Sequence, residues 1–271
     1  MTETIHAHAA SPMVRALAEI AYDAGKIILK HYNTEDEIAS RSKDDSSPVT
    51  LADEEAEKFI LGRLKHLAPE IPIIAEEEAA AGRLSKIGNH FFLVDPLDGT
   101  KEFINKNGEF TVNIAEILDG KPVRGVVYAP AIDRLFFGEA LSGAFEIEAK
   151  PGGAPDFGEA NRIQVRPTPA GGLTAVASRS HRDAATDEYL AAYKVKDFIS
   201  AGSSLKFCLV AAGEADIYPR TGRTMEWDTG AGHAVLAAAG GTVTQLDGKP
   251  FIYGKADEKF ANPFFVAKGS V

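Results

Sequence analysis

The chain has 271 residues and a mass of 28.9 kDa, enough for one large domain or two modest lobes around a substantial core. Its 45% hydrophobic and 25% charged content is that of a folded globular protein, which excludes wholesale disorder. The excess of 39 acidic over 29 basic residues gives a net charge of −10 and disfavours a nucleic-acid polymer as partner, since binding a phosphate backbone needs a basic face. Small phosphorylated ligands stay open, because a metal ion can reverse the local sign.

The single cysteine, Cys208, excludes an intramolecular disulfide and a cysteine-built zinc site, and it suits a reducing, cytoplasmic setting. The first residues lack the basic-then-apolar order of a secretory signal. No run approaches the roughly 18 apolar residues that a membrane span needs.

Residues 1–12 are expected to form a flexible tail, with His6 and His8 on it. Ser11-Pro12 then opens a helix in which Val14, Leu17, Ile20, Ala21, Ala24, Ile27 and Ile28 recur at helical spacing. Residues 33–47 are polar and read as a surface connection. Thr50 starts a second helix with Phe59, Ile60, Leu64 and Leu67 as its apolar points, ended by Pro69 and Pro72. Ile73-Ile74 is a short strand running into Glu76-Glu77-Glu78. Residues 91–94 form an apolar strand leading directly into Asp95-Pro96-Leu97-Asp98-Gly99-Thr100. Residues 110–118 and 122–128 are strands joined by an Asp119-Gly120 turn, and residues 135–148 continue the pattern around Gly143.

Residues 151–161, rich in glycine, proline and acid, are the best linker. Beyond them strands at 173–177, 215–218 and 242–245 alternate with helices at 183–194, 203–212 and 227–239. The expected fold is mixed α/β (α+β): N-terminal helices and an antiparallel sheet in a lobe over 13–155, then an α/β lobe over 156–271, the two forming one catalytic unit.

Core packing does not explain a buried strand that ends in Asp-Pro-Leu-Asp-Gly-Thr. Pro96 keeps Asp95 extended, Gly99 allows a tight turn, and the following helix start offers free N–H groups to a phosphate. Asp95 and Asp98, with the Leu97 carbonyl between them, make a compact all-oxygen donor set of the kind magnesium favours. An Asx-turn would account for one aspartate, not for the pair with Gly-Thr. Three other acids are ambiguous alone: Glu76 in an acidic run, Asp53 in the capping-box pattern Thr50-x-x-Asp53, and Asp228 at a helix start beside Trp227. Gly202-Ser203-Ser204 with Lys206 reads equally as an anion site or a serine cap. Ser178-Arg179-Ser180-His181-Arg182 concentrates positive charge after a strand. Cys208 and Trp227 read as packing residues.

Asp95-Pro-Leu-Asp-Gly-Thr-Lys-Glu-Phe103, with Glu76-Glu77 upstream and Trp227-Asp228 downstream, resembles the magnesium-dependent inositol monophosphatase superfamily. Within it, Ser47-Pro-Val-Thr-x-Ala-Asp53, Asn107-Gly-Glu-Phe-Thr-Val-Asn-Ile114, Gly125-Val-Val-Tyr-Ala-Pro130 and Gly202-Ser-Ser-Leu-Lys-Phe-Cys208 are similar to the bacterial 3′(2′),5′-bisphosphate nucleotidases. The resemblance runs from the first helix to the C-terminus and implies a layered αβαβα sugar-phosphatase-type fold. It implies that Glu76, Asp95, Asp98, Asp228 and the Leu97 carbonyl bind two or three Mg2+ ions. It also implies that Gly99 and Thr100 N–H groups hold the phosphate and that Asp53 and Thr100 orient and deprotonate the attacking water. His181, Ser203, Lys206 and Arg220 match positions around a nucleotide 5′-phosphate.

The implied reaction is magnesium-dependent hydrolysis of adenosine 3′,5′-bisphosphate to AMP and phosphate, and of 3′-phosphoadenylyl sulfate to adenylyl sulfate. The implied setting is sulfur assimilation, with sensitivity to lithium. Inositol phosphates or another sugar phosphate are the alternative substrates, and a nucleotide sensor without turnover is the alternative class. The expected location is cytoplasmic, with peripheral attachment at the inner face of the plasma membrane as the other option. The oligomeric state is not fixed by the sequence.

Overall fold

The computed structural model describes residues 10–34, 40–42, 48–178 and 183–270. Helix α1 (Pro12–Tyr32) is capped by Ser11, whose hydroxyl accepts the Val14 N–H. Its buried face carries Val14, Leu17, Ile20, Ala21, Ala24 and Ile28, as the periodicity predicts, while Ile27 is only partly covered. Ala10 is itself buried, so the fold begins before the end of the tail expected over 1–12. Within the expected surface connection, β1 (Ser40–Ser42) pairs antiparallel with β2 (Pro48–Thr50) and leads into α2 (Leu51–Leu67).

Strand β3 (Ile73–Ala75) passes straight into a short helix, α3 (Glu76–Ala80). Strand β4 (His90–Asp98) is longer than the apolar run suggests, because it continues through both aspartates to α4 (Thr100–Ile104). Strands β5 (Thr111–Leu118), β6 (Lys121–Ala129), β7 (Arg134–Glu139), β8 (Gly143–Glu148) and β9 (Asn161–Ile163) complete a seven-stranded sheet in sequential order from β3. Only the β3–β4 pair in it is parallel. The stretch expected as a linker is tied down at its start: the Tyr22 hydroxyl donates to the Lys150 carbonyl (2.6 Å) and accepts the Gly153 N–H (3.1 Å).

The second sheet is built from β10 (Leu173–Ser178), β11 (Val195–Ala201), β12 (Ile217–Arg220), β13 (Thr242–Gln245) and β14 (Phe265–Lys268), in the order β11-β10-β12-β14-β13. Helix α5 (Ala184–Leu190) is shorter than the 183–194 expected, and β11 and β14 carry no sequence expectation. Helices α6 (Leu205–Ala211) and α7 (Glu226–Ala238) lie between the two sheets.

Three apolar clusters define the layers. One joins α1 and α2 to one face of the first sheet, a second joins its other face through α6 and α7 to the second sheet, and a third seats α5 on the outer face of that sheet. The result is the αβαβα stack expected above. Close contact between α7 and the first sheet depends on missing side chains: a Cβ on Gly125 would lie 2.4 Å from the Ala231 carbonyl oxygen. Cys208 is fully buried, and Trp227 packs near Phe260, as expected of both. Among the described residues, no helix is long and apolar enough to cross a membrane.

Candidate active site

The acidic motif is shaped by a break in the β4–β5 ladder. Asp95 stands opposite Asn113 and Asp98 opposite Thr111, so three steps along β4 match two along β5. Pro96 cannot donate to the ladder, and the extra residue makes a bulge. In a regular strand, residues three apart point to opposite faces; the one-residue bulge returns Asp95 and Asp98 to the same one. That face carries Leu93 and Ala115 and looks toward α7. Gly99 then turns the chain at φ +94° into α4, a conformation costly for any residue with a side chain.

Three elements converge on Asp95. The parallel pairing of β3 with β4 sets Glu76, at the start of α3, beside it. Helix α7 presents Asp228 from its first turn. Ligand oxygens of Glu76, Asp95 and Asp228 all lie within 4.8 Å of one another, with Asp95 buried and the other two partly exposed. Asp98 stands outside that trio and accepts a hydrogen bond from the Ser204 hydroxyl (3.2 Å). Burial raises the Asp95 carboxyl well above the ordinary range, and the charges of Glu76, Asp98 and Asp228 raise it further. Asp228 is raised in the same way by burial and then by Asp98 and Glu76. Burial pushes Asp98 up to about 6, although the Lys206 charge opposes this. Like charges packed this closely call for a cation, and the all-oxygen donor set suits a hard divalent one.

The local capping roles considered for these acids are present as well. Asp95 Oδ1 accepts the Leu97 N–H (3.0 Å), and Asp228 Oδ2 accepts the Met225 N–H (2.8 Å) at the start of α7. Asp53 Oδ2 accepts both the N–H (2.8 Å) and the hydroxyl (2.6 Å) of Thr50, so its position is fixed by its own helix start. Its other oxygen, Oδ1, accepts the Thr100 hydroxyl at 3.2 Å, and the same hydroxyl is 3.4 Å from the Leu97 carbonyl. Asp53, 47 positions away in sequence, thus meets the end of the acidic motif.

Loop 202–204 links the second sheet to this centre. The Ser204 hydroxyl donates to the Asp228 carbonyl (2.6 Å) as well as to Asp98, so Ser204 does not cap α6 with its side chain. The Ser203 hydroxyl donates to Thr111 Oγ1 (3.0 Å), and the Gly202 N–H donates to Glu109 (2.9 Å). Lys206 is buried, donates to the Ser203 carbonyl (2.5 Å), and is pushed down by burial to about 8. Arg220, at the end of β12, has its Nε buried with no hydrogen-bond partner among the described residues. His181 and its neighbours 179–182 lie outside the described residues.

Ser204 was expected only as part of Gly202-Ser203-Ser204, an anion site or a serine cap, and no pattern separated it from Ser203; Glu57 carried no sequence expectation. Glu57, buried on α2, accepts the Glu77 N–H (2.7 Å) and the Glu78 N–H (2.9 Å), while burial pushes its carboxyl up to about 8.

The inositol monophosphatase family model matches residues 9–268 of the chain. Two relatives, each named as a 3′(2′),5′-bisphosphate nucleotidase CysQ, come from Shigella flexneri (46% identical) and Escherichia coli K12 (45%), each over 93% of this chain and 98% of the relative. The crystal structure of CysQ from Bacteroides thetaiotaomicron, described as a bacterial member of the inositol monophosphatase family, superposes with a TM-score of 0.79 at 38% identity, over 94% of this chain and 97% of that one. An inositol monophosphatase of Thermotoga maritima superposes at 0.74 with 25% identity, over 94% and 91%. Fold, family model and relatives agree over nearly the whole length, and the chain belongs to the inositol monophosphatase family.

Proposed function

We propose that the protein is a magnesium-dependent 3′(2′),5′-bisphosphate nucleotidase, removing the 3′-phosphate of adenosine 3′,5′-bisphosphate to give AMP and phosphate and treating 3′-phosphoadenylyl sulfate in the same way. The observation that carries the reading is the meeting of a carboxylate trio, two of whose carboxyls are raised by their acidic neighbours, with the Asp53–Thr100 pair on one side and Arg220 and Lys206 on the other. The nucleotidase relatives share about 45% of the sequence over nearly its whole length, which supports the choice of substrate.

Glu76, Asp95 and Asp228, with Asp98 and the Leu97 carbonyl, would hold two or three Mg2+ ions. What the bound cations supply is charge against the phosphate oxygens and a lowered pKa for the attacking water. Thr100 donates its hydroxyl proton toward Asp53 Oδ1, which leaves the Thr100 oxygen free to accept a proton from that water. Thr50 fixes the opposite oxygen of Asp53 and so fixes the direction of transfer. The N–H groups of Gly99 and Thr100 hold the 3′-phosphate. The unpaired Nε of Arg220 supplies a donor for the 5′-phosphate, near the Lys206 charge, and the resemblance adds Ser203 and His181 as further 5′-phosphate contacts.

The test is phosphate release from adenosine 3′,5′-bisphosphate, 3′-phosphoadenylyl sulfate, inositol 1-phosphate and fructose 1,6-bisphosphate, each with and without magnesium. The expected result is magnesium-dependent release strongly favouring the two nucleotides. Preference for inositol 1-phosphate would assign a sugar phosphatase, and binding without release would assign a sensor.

A further inference from the structure

Helix α2 carries a second buried acid that the reaction leaves unused. Glu57 follows Asp53 by four residues, so both carboxylates leave the same face of the helix one turn apart. Its neighbours Glu54 and Glu55 face solvent, whereas Glu57 is 3% exposed. Its two oxygens accept the second and third N–H groups of α3, which begins at Glu76. The residue before α3 is Ala75, which has no side chain able to cap. Glu57 therefore does from another helix, 20 positions away, what an N-cap residue does locally.

The effect falls on Glu76. Helix α3 has five residues, too few to be stable alone, and none of them is fully buried. Its first turn takes its direction from β3 behind it and from the Glu57 carboxylate in front. We propose that Glu57 is a positioning residue: by clamping the Glu77 and Glu78 amides it fixes the direction in which Glu76 presents its carboxylate to Asp95 and Asp228. The same helix then sets both halves of the centre, Asp53 against Thr100 and, one turn later, Glu57 against the backbone that carries Glu76. The proposal rests on Glu76 being a cation ligand. A group that orients such a ligand typically affects metal affinity about 10–100-fold.

The test uses Glu57→Gln, which keeps the size but turns one acceptor into a donor facing an amide. Amide exchange on metal-free protein should quicken at Glu77 and Glu78 by about tenfold or more while amides of α7 and β4 keep their wild-type rates. Calorimetric titration with magnesium alone should show affinity weaker by about tenfold, and turnover at saturating magnesium should return to within a few-fold of wild type. Glu57→Asp, which keeps both acceptor oxygens on a shorter arm, should fall between the two, and it carries the test if the glutamine variant does not fold. Wild-type magnesium affinity in a variant with quickened Glu77 and Glu78 amides would overturn the proposal. So would equal loosening of α3, α7 and β4, which marks a merely structural role. Failure of the wild-type protein to bind magnesium would overturn the cation-site reading itself, and with it this role for Glu57.

Discussion

Asp95 and Asp216 are equally hidden, at 1% and 2% exposed, and their electrostatics are opposite. Asp216 accepts Arg166 in a two-point pair (2.8 and 2.7 Å) and the Thr174 N–H (2.6 Å). Burial raises its carboxyl, but Arg166 and Thr174 more than offset this and hold it below the usual range. Asp95 accepts the Leu97 N–H, and its neighbours are further carboxylates. Burial alone therefore does not distinguish a structural acid from a reactive one. The difference is whether the chain supplies its own counter-charge. At Asp216 it does, and the acid ties the chain after β9 to β10; at Asp95 the neighbours that act on it are further acids, which supports the cation site proposed there.

The sharpest way to break this contrast is to neutralise each acid in turn. Asp95→Asn is expected to lower kcat by on the order of 10^3-fold, equivalent to about 4 kcal/mol of transition-state stabilisation, while leaving thermal stability unchanged or higher. Asp216→Asn should keep kcat and lose about 2–3 kcal/mol of stability. That figure lies below the roughly 3–5 kcal/mol for breaking a buried pair because Arg166 is 34% exposed. Steady-state kinetics and urea melts of both variants decide it; the contrast fails if the two losses are exchanged.

Next in size is the Asp53–Thr100 pair. Thr100→Val and Asp53→Asn should each lower kcat about 10^2–10^3-fold at saturating magnesium, and Thr100→Ser, which keeps the hydroxyl, should be mild. Weakened magnesium binding with kcat intact would move the pair to the cation side of the comparison. Arg220→Ala should raise KM for adenosine 3′,5′-bisphosphate about 10–100-fold, the range expected for a lost charged hydrogen bond. The variant should change turnover of inositol 1-phosphate less than about twofold. Equal effects on both substrates would separate Arg220 from the 5′-phosphate.

The acids that meet at this centre were not equally legible in the sequence. Asp95 and Asp98 stood out because Pro96 and Gly99 mark a strand end that packing does not require. Asp53 and Asp228 were ambiguous for a physical reason: each caps its own helix and faces the centre too, so the local pattern describes half of its role. Glu57 was hidden because Asp-Glu-Glu-Ala-Glu on a helix reads as a solvated face, and only the docked position of α3 shows which acid turns inward. The helices of the first layer and most strands followed from periodicity. Strand β11 did not, because its Val-Lys-Asp-Phe-Ile-Ser-Ala has mostly uncovered residues at the sheet edge and no alternation to read. In loop 202–204 two adjacent serines look alike in sequence. Ser203, at φ +46°, turns toward Thr111, while Ser204 joins Asp98 to α7.

The smallest predicted effect is the most direct measure of the missing counter-charge. Unfolded aspartates lose their protons near pH 4, whereas Asp95, Asp98 and Asp228 keep theirs to higher pH in the metal-free fold. The stability each contributes is full below about pH 4 and is lost as pH rises through its folded value, about 6 for Asp98. Asp216 has the reverse sign: its contribution is present above about pH 4 and is lost as pH falls. His233 also opposes the trend between pH 5 and 7, because burial holds its imidazole down to about 3 and the folded chain keeps it neutral. The useful quantity is therefore the Tm of Asp95→Asn minus that of the wild type, in which the unchanged groups cancel. That difference should grow by several degrees from pH 5 to pH 8 without metal, at about 2–4 °C per kcal/mol for a chain of this size. Saturating magnesium should reverse its sign at pH 8, since the wild type then gains the cation that the variant binds poorly. A difference independent of pH would mean that Asp95 is compensated within the fold after all, and Asp95 and Asp216 would then belong to the same class.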